Sequence, residues 1–194
     1  MALKLEDLEQ NLFYPNEPYM KYHPRVWQRN GWIIDLGCYG WDWCRPFLGK
    51  KKVAGVDPCG ELPKMEGIGE DVFQLIGFVG TVNGRILYEF RPDIHSISAH
   101  SSGIEQAHII RFDDFLKSNG IDDIDILKMN IEGMEYELLI NLKTPIADQI
   151  IVSFHDHMGY TVYQRETIIR YLEKWYDWVV VDEQWKWYLF LRRR

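Results

Sequence analysis

The sequence predicts an α/β fold in which a mostly parallel sheet carries helices on both faces and ends in an antiparallel hairpin. Three observations lead there. From Gly31 onward, short apolar runs ending in glycine, asparagine or aspartate alternate with segments of helical spacing. Several runs, such as residues 32–36 and 149–154, are apolar with little alternation, as strands covered on both faces are. The chain then closes on two strand-like runs, residues 178–181 and 185–191, joined by Asp182-Glu183-Gln184, which adds an antiparallel strand at or near one edge.

Residues 1–30 differ in character and are set apart as a lead-in to a single domain over 31–194. A short helix is expected at 5–12. Pro15, Pro18 and Pro24 then interrupt, leaving an aromatic, partly extended stretch with Tyr14, Tyr19, Tyr22 and His23, read as a flap or edge cover. Residues 32–36 form the first strand, ending at Gly37. Residues 41–48 form a short helix limited by Pro46, and residues 52–56 form the second strand, ending at Asp57-Pro58. Residues 72–79 supply a third strand. Asn83-Gly84 is a hairpin signal between 77–82 and 85–90. A loop rich in Ser and His is expected over 95–108, followed by a strand at 109–111 and a helix at 113–118 stopped by Asn119-Gly120. Next come a strand at 124–131, a helix at 133–142 with Leu138, Leu139 and Leu142 inward, and a strand at 149–154. Residues 161–176 carry apolar side chains at the spacing of an amphipathic helix.

Composition bounds the function. At 194 residues and 46 % hydrophobic, the chain builds one core without metals or disulfides. Its net charge of −7 argues against a protein devoted to holding a nucleic-acid backbone, and Arg192, Arg193 and Arg194 read as a solvated tail. Cys38, Cys44 and Cys59 lack paired spacing, which points to a reducing compartment. The first residues lack the pattern of a signal peptide, and no apolar stretch reaches the length of a membrane span, so a cytoplasmic protein is expected.

Ligands of such sheets sit beyond the carboxyl ends of the strands, and three of those ends carry chemistry. The first is Asp35-Leu36-Gly37-Cys38-Tyr39-Gly40, where small residues let the backbone approach a cofactor; a plain turn is the alternative. The pattern G-x-G-x-x-G is absent. The second is Asp57, about twenty residues on, placed to accept two ribose hydroxyls, with a simple Asp57-Pro58 turn as the alternative. A ribose acid without a phosphate loop favours a nucleoside cofactor lacking pyrophosphate. The third is Lys128-Met129-Asn130-Ile131-Glu132-Gly133. At a period of two, Ile124, Ile126, Lys128, Asn130 and Glu132 share one face, which turns polar toward its end. The readings are a place where cofactor meets acceptor, or an ion pair of Lys128 with Glu132 or a nearby acid.

The stretch from Arg111 through Leu139, with its Leu-Lys-Met-Asn-Ile-Glu-Gly-Met-Glu core at 127–135, resembles the signature of the FkbM methyltransferase family, whose strand reads roughly LKIDVEGAE. Residues 34–40 resemble that family's first motif and Val53 to Pro58 its second. Asn83-Gly84 and Ser101-Ser102 fall where the family has similar features, and the similarity spans about residues 31 to 157. Asn130 stands where the family usually has Asp, and the first glycine motif is one residue shorter than common versions. The resemblance implies a Rossmann-like class I fold and O-methylation by S-adenosyl-L-methionine. It also implies a saccharide or glycan acceptor, with a glycosyltransferase as partner or fused domain.

On that footing Asp35, Gly37, Cys38, Tyr39 and Gly40 are expected at the cofactor's amino-acid end, Asp57 and Pro58 at its ribose and Phe78 over its adenine. Lys128, Asn130, Glu132 and His155 are expected around the acceptor oxygen, with Asn130 also within reach of the cofactor. His155 is the candidate base, because imidazole titrates near neutrality; a loop histidine that only hydrogen-bonds is the alternative. As a metal site, His155-Asp156-His157 is poor, since adjacent side chains diverge. Tyr14, Tyr19 and Tyr22 are candidates to stack on a sugar or to pack against the sheet. Two rival functions are an RNA ribose 2′-O-methyltransferase, opposed by the acidic composition, and a non-catalytic binding module, favoured by Asn130. A nicotinamide oxidoreductase is disfavoured by the missing phosphate loop.

Overall fold

A computed structural model describes residues 21–58, 71–91, 96–99 and 105–193. The expected helix at 5–12, Tyr14, Pro15, Pro18, Tyr19, Cys59, His95, His100, Ser101 and Ser102 lie outside the described residues. The larger of two sheets is built from β1 (Trp32–Leu36), β2 (Lys52–Asp57), β3 (Val72–Ile76), β8 (Ile124–Met129), β9 (Gln149–Ser153), β10 (Tyr176–Asp182) and β11 (Trp187–Arg192), in the order β10-β11-β9-β8-β1-β2-β3. Strands β3, β2, β1, β8 and β9 run parallel. Strand β11 is antiparallel to both β9 and β10, which is the expected closing hairpin.

The chain leaves β1 for β2 on one side, and its return at β8 lies on the other side of β1. The carboxyl end of β1 is therefore the point where the two halves of the sheet part.

The second sheet was not foreseen as such. It holds β4 (Phe78–Gly80), β5 (Gly84–Arg91), β6 (Ser96–Ala99) and β7 (Glu105–Arg111), in the order β4-β7-β5-β6. The expected single strand over 72–79 splits at Gly77, where a β-carbon would lie 2.8 Å from the His108 carbonyl oxygen. Asn83-Gly84 does not join a hairpin. Strand β7 lies between β4 and β5, and the Asn83 side chain instead accepts from Arg111 N–H at 2.7 Å and donates to Asp114 at 2.6 Å. The predicted loop over 95–108 is in large part strand, because β6 and β7 find a partner in β5 that local composition does not reveal.

Among the described residues the α-helices are α1 (Phe112–Ser118), α2 (Met134–Ile140) and α3 (Val162–Leu172). Thr161 caps α3 with a reciprocal Thr161–Gln164 capping box, and the expected continuation to Tyr176 instead turns into β10. All three pack on one face of the large sheet, burying Phe115, Tyr136, Leu139, Ile168 and Leu172 against Ile34, Val56, Leu127 and Val152.

Among the described residues the opposite face is covered by 3-10 turns and not by the expected helices. There the segment 41–48 forms two 3-10 turns, Tyr39–Trp41 and Arg45–Phe47, with a third at Pro24–Gln28. Pro46 and the positive φ of Gly40 (71°) and Trp41 (59°) prevent a continuous helix. Tyr22, Trp43 and Phe47 pack edge-on and tilted at 4.9–6.5 Å over this face. Tyr22 is fully buried there, which removes it from the candidates for sugar stacking.

At the amino ends of the strands, charges are structural. Buried Asp125 accepts from Gly31 N–H at 3.0 Å and pairs with Lys51 at 2.8 Å and Arg29 at 2.7 Å, while Arg25 pairs with Asp148 at 2.6 Å. These bonds tie residues 25–31 to the strand starts, opposite the end where ligands are expected.

Candidate active site

One cavity lies at the carboxyl ends of β1, β2 and β8. Its walls are Leu36, Gly37 and Tyr39 after β1, Val56, Asp57 and Pro58 after β2, Gly77, Phe78 and Val79 around β4, and Asn130, Ile131, Glu132 and Met134 after β8. The location follows from topology, since this is where the chain parts to either side of β1.

Of the residues expected to bind a cofactor, the structure brings Gly37, Tyr39, Asp57, Pro58, Phe78 and Asn130 onto this cavity. Gly37 has φ of 78° and is packed against the backbone of the loop after β8, to which β1 is also tied by Asn130 N–H donating to the Leu36 carbonyl at 3.0 Å. Asp57 closes β2 with 5 % of its surface exposed.

Asp35, Cys38 and Gly40 do not line the cavity. Asp35 and Cys38 lie on the face covered by the 3-10 turns, where a β-carbon on Gly55 would touch the Trp41 ring and Cys38 Sγ. Burial pushes both the Cys38 and Cys44 thiols well up, with the nearby Asp35 charge adding to it, so neither is a ready thiolate.

Lys128 belongs with Asp35 rather than with the cavity. Its ammonium pairs with Asp35 Oδ1 at 2.7 Å and donates to the Gly37 carbonyl at 2.7 Å, with 3 % and 1 % of the two side chains exposed. Burial raises the Asp35 carboxyl and Lys128 opposes that rise. The single face read along residues 124–132 also divides. A register shift between Trp32 and Ile33 against β8 puts Ile124 with the helix-side core and Ile126 with the opposite one, and β8 ends at Met129. Asn130 and Glu132 are therefore loop residues, and Glu132 holds the left-handed φ of 52°.

His155 follows β9 and is nearly buried. Its backbone N–H donates to Glu135 Oε1 at 2.8 Å, its Nδ1 lies 2.9 Å from that same oxygen, and its Nε2 lies 3.6 Å from Glu132 Oε1. His155 is thus joined to the cavity through Glu132 and does not line it. Asp156 turns the other way, accepting from Tyr136 OH and pairing with Arg165. Among the described residues no group of three or more His, Cys, Asp and Glu side chains is arranged to hold a metal ion.

Sequence reasoning missed Glu135, which is fully buried in the first turn of α2. Its signal was helical phase, because 135, 138, 139 and 142 share the face assigned to the core, so an acid there needs buried partners. It also missed Gly77, Val79, Ile131 and Met134 as wall residues, whose apolar character resembles any core position.

Residues 67–178 match the family model described as "Methyltransferase FkbM domain". That segment runs into β10 and includes α1, β8, α2 and His155, while Gly37 and Asp57 precede it. Comparisons with curated proteins and with solved structures gave no match.

Proposed function

The chain belongs to the FkbM methyltransferase family, and from that premise we propose that it is an S-adenosylmethionine-dependent O-methyltransferase acting on a hydroxyl of a sugar or glycan in the cytoplasm. The observation that carries the proposal is the chemistry of the cavity wall, which joins two carboxylates, Asp57 and Glu132, to the aromatic side chain of Phe78 and the turn at Gly37. Among the described residues lining it there is no Lys or Arg. Such a wall suits a positively charged nucleoside and disfavours a pyrophosphate, which needs cations or a cluster of free amides.

S-adenosylmethionine fits that donor set. In this reading Asp57 accepts from the ribose hydroxyls, Phe78 covers the adenine, and the backbone at Gly37 with Tyr39 meets the amino-acid end. When bound, the cofactor supplies a methyl group on a cationic sulfur. Asn130 orients the acceptor or the amino-acid end, and Glu132 faces the acceptor hydroxyl. Most of the rate comes from holding the acceptor oxygen in line with the methyl group, with proton removal a smaller contribution. We take the large sheet as a Rossmann-like class I methyltransferase sheet, on the support of its parallel centre, its parting at β1 and its closing hairpin. A glycosyltransferase working on the same glycan is the proposed partner. No helix among the described residues is long and apolar enough to cross a membrane.

The test is incubation with S-adenosylmethionine carrying a labelled methyl group and an array of methyl glycosides, with RNA oligonucleotides in parallel. The expected product is a labelled methyl ether on a sugar oxygen, located by mass spectrometry. Label on the RNA ribose supports the RNA reading instead. Cofactor binding without transfer to any acceptor supports the non-catalytic module, for which Asn130 on the cavity wall is the motivating residue.

A further inference from the structure

Glu135 is an acid with no exposed surface, and both of its oxygens have fixed partners. Oε2 accepts from Gly133 N–H at 2.8 Å. Oε1 takes the backbone N–H of His155 at 2.8 Å and faces its Nδ1 at 2.9 Å. The far ring nitrogen, Nε2, is directed to Glu132 at 3.6 Å, and Glu132 stands on the cavity wall. Three side chains thus form a line from the core to the cavity: Glu135, His155, Glu132.

The backbone supports the same arrangement. Glu132 keeps a left-handed φ of 52°, which is unfavourable for a residue with a side chain and is followed by Gly133 at 101°. A β-carbon at Gly133 would meet Met158 at 3.1 Å and Tyr160 at 3.3 Å, so the turn after His155 sits directly over this bend. Stacking of Tyr136 on Tyr160 at 4.0 Å and 3°, together with the bonds of Tyr136 and Arg165 to Asp156, holds that turn in place.

We propose that Glu135 is a positioning residue for the acceptor side of the site, clamping His155 so that its outer nitrogen holds Glu132, the cavity-wall carboxylate that takes the acceptor's proton. This rests on the methyltransferase reading above. As the acceptor oxygen bonds to the methyl carbon, the carbon–sulfur pair stays with sulfur. The oxygen's proton passes to a Glu132 oxygen and then to solvent. A carboxylate is base enough, because an oxygen that has gained a third bond is a strong acid.

The groups facing the His155 ring are Glu132 from the loop after β8, Glu135 from α2 and His157 from its own turn; Asp156, turned away to Tyr136 and to Arg165 of α3, acts on the ring only through its charge. Burial alone would lower the ring's pKa. The hydrogen bond and charge of Glu135, followed by the charges of Glu132 and Asp156, outweigh it and raise the ring above its ordinary value. A charged ring bonds Glu135 through Nδ1 and attracts Glu132 as an ion pair through Nε2, and a ring in that state positions Glu132 rather than acting as the base.

The test is nitrogen-15 NMR of the histidine rings in the full chain, with S-adenosylhomocysteine titrated separately by calorimetry. In the wild type at about pH 6.5, the ordinary histidine pKa, most of His155 is expected to carry protons on both nitrogens. Glu135→Gln, a change outside the cavity wall, lowers that fraction strongly while S-adenosylhomocysteine affinity changes by no more than about threefold, under ~1 kcal/mol; Glu132→Gln lowers the fraction less. A wild-type ring that is mostly neutral at that pH overturns the proposal and needs no variant to do so. A folded Glu135→Gln protein whose His155 titrates as in the wild type overturns it equally. Failure of the folded wild type to bind S-adenosylhomocysteine sinks the methyltransferase reading, and with it the role given to Glu132, whatever His155 does.

Discussion

A β-carbon placed on Gly37 would lie 2.0 Å from the carbonyl oxygen of Asn130, so the loops after β1 and β8 meet backbone to backbone at the cavity wall. The glycine is required twice over, for its φ of 78° and for this approach. Gly37→Ala is therefore expected to cost about 2 kcal/mol or more, from the left-handed backbone and the displaced loop together. Thermal unfolding with and without S-adenosylhomocysteine checks it. A variant with wild-type stability and affinity contradicts the packing described.

Lys128 and Asp35 form a buried pair beneath the glycine turn. Removing one partner leaves an uncompensated buried charge, so Lys128→Met or Asp35→Leu alone is expected to destabilise by about 3–5 kcal/mol. The double variant, with neither charge left, recovers most of that loss. Urea unfolding of the three proteins measures the coupling. If the double variant is as unstable as the sum of the singles, the pair is not the source of the effect.

His155 has a folded pKa above its unfolded one, owing to Glu135, Glu132 and Asp156. Its contribution to stability is therefore fully present below about pH 6.5 and is lost as pH rises through the folded value. The stability difference between wild type and His155→Gln, measured by urea denaturation across that window, should shrink as pH rises. Methyl transfer should fall over the same window, because the charged ring holds Glu132. A transfer rate that climbs with pH through the His155 titration would make His155 the base.

Glu132 occupies a backbone region that costs a side-chain-bearing residue about 1–3 kcal/mol. Glu132→Gly relieves that strain but adds about 0.5–1 kcal/mol of chain entropy, so its stability is expected within about 1 kcal/mol of wild type. Transfer activity is expected to be lost. A large fall in stability would mean that the carboxylate is there for folding.

The parallel centre of the sheet was legible because β1, β2, β8 and β9 are short apolar runs buried on both faces, each ending at a polar residue or turn. The hairpin β10–β11 was legible from a different signal, two strand-like runs joined by the short polar turn Asp182-Glu183-Gln184. The small sheet was not, because the pairing of β7 between β4 and β5 depends on contacts distant in sequence, and Asn83-Gly84 looks locally like a hairpin turn. Strand ends named most of the cavity wall. The pairing of Lys128 with a nearby acid was one of the two readings of its strand, and only the identity of that acid, Asp35 on the neighbouring strand, needed the register of β1 against β8. Glu135 was hidden because an acid in the first turn of a helix is ordinarily a solvated dipole partner.

Calorimetric titration of S-adenosylmethionine and S-adenosylhomocysteine into wild type and Asp57→Ala tests the central claim most directly. Loss of hydrogen bonds from two hydroxyls to a carboxylate should weaken both ligands by about 10- to 100-fold, at about 1.5–3 kcal/mol for bonds to a charged group. Binding by the wild type with that loss in the variant is the predicted result; equal binding by the two proteins, or none by a folded wild type, contradicts the account.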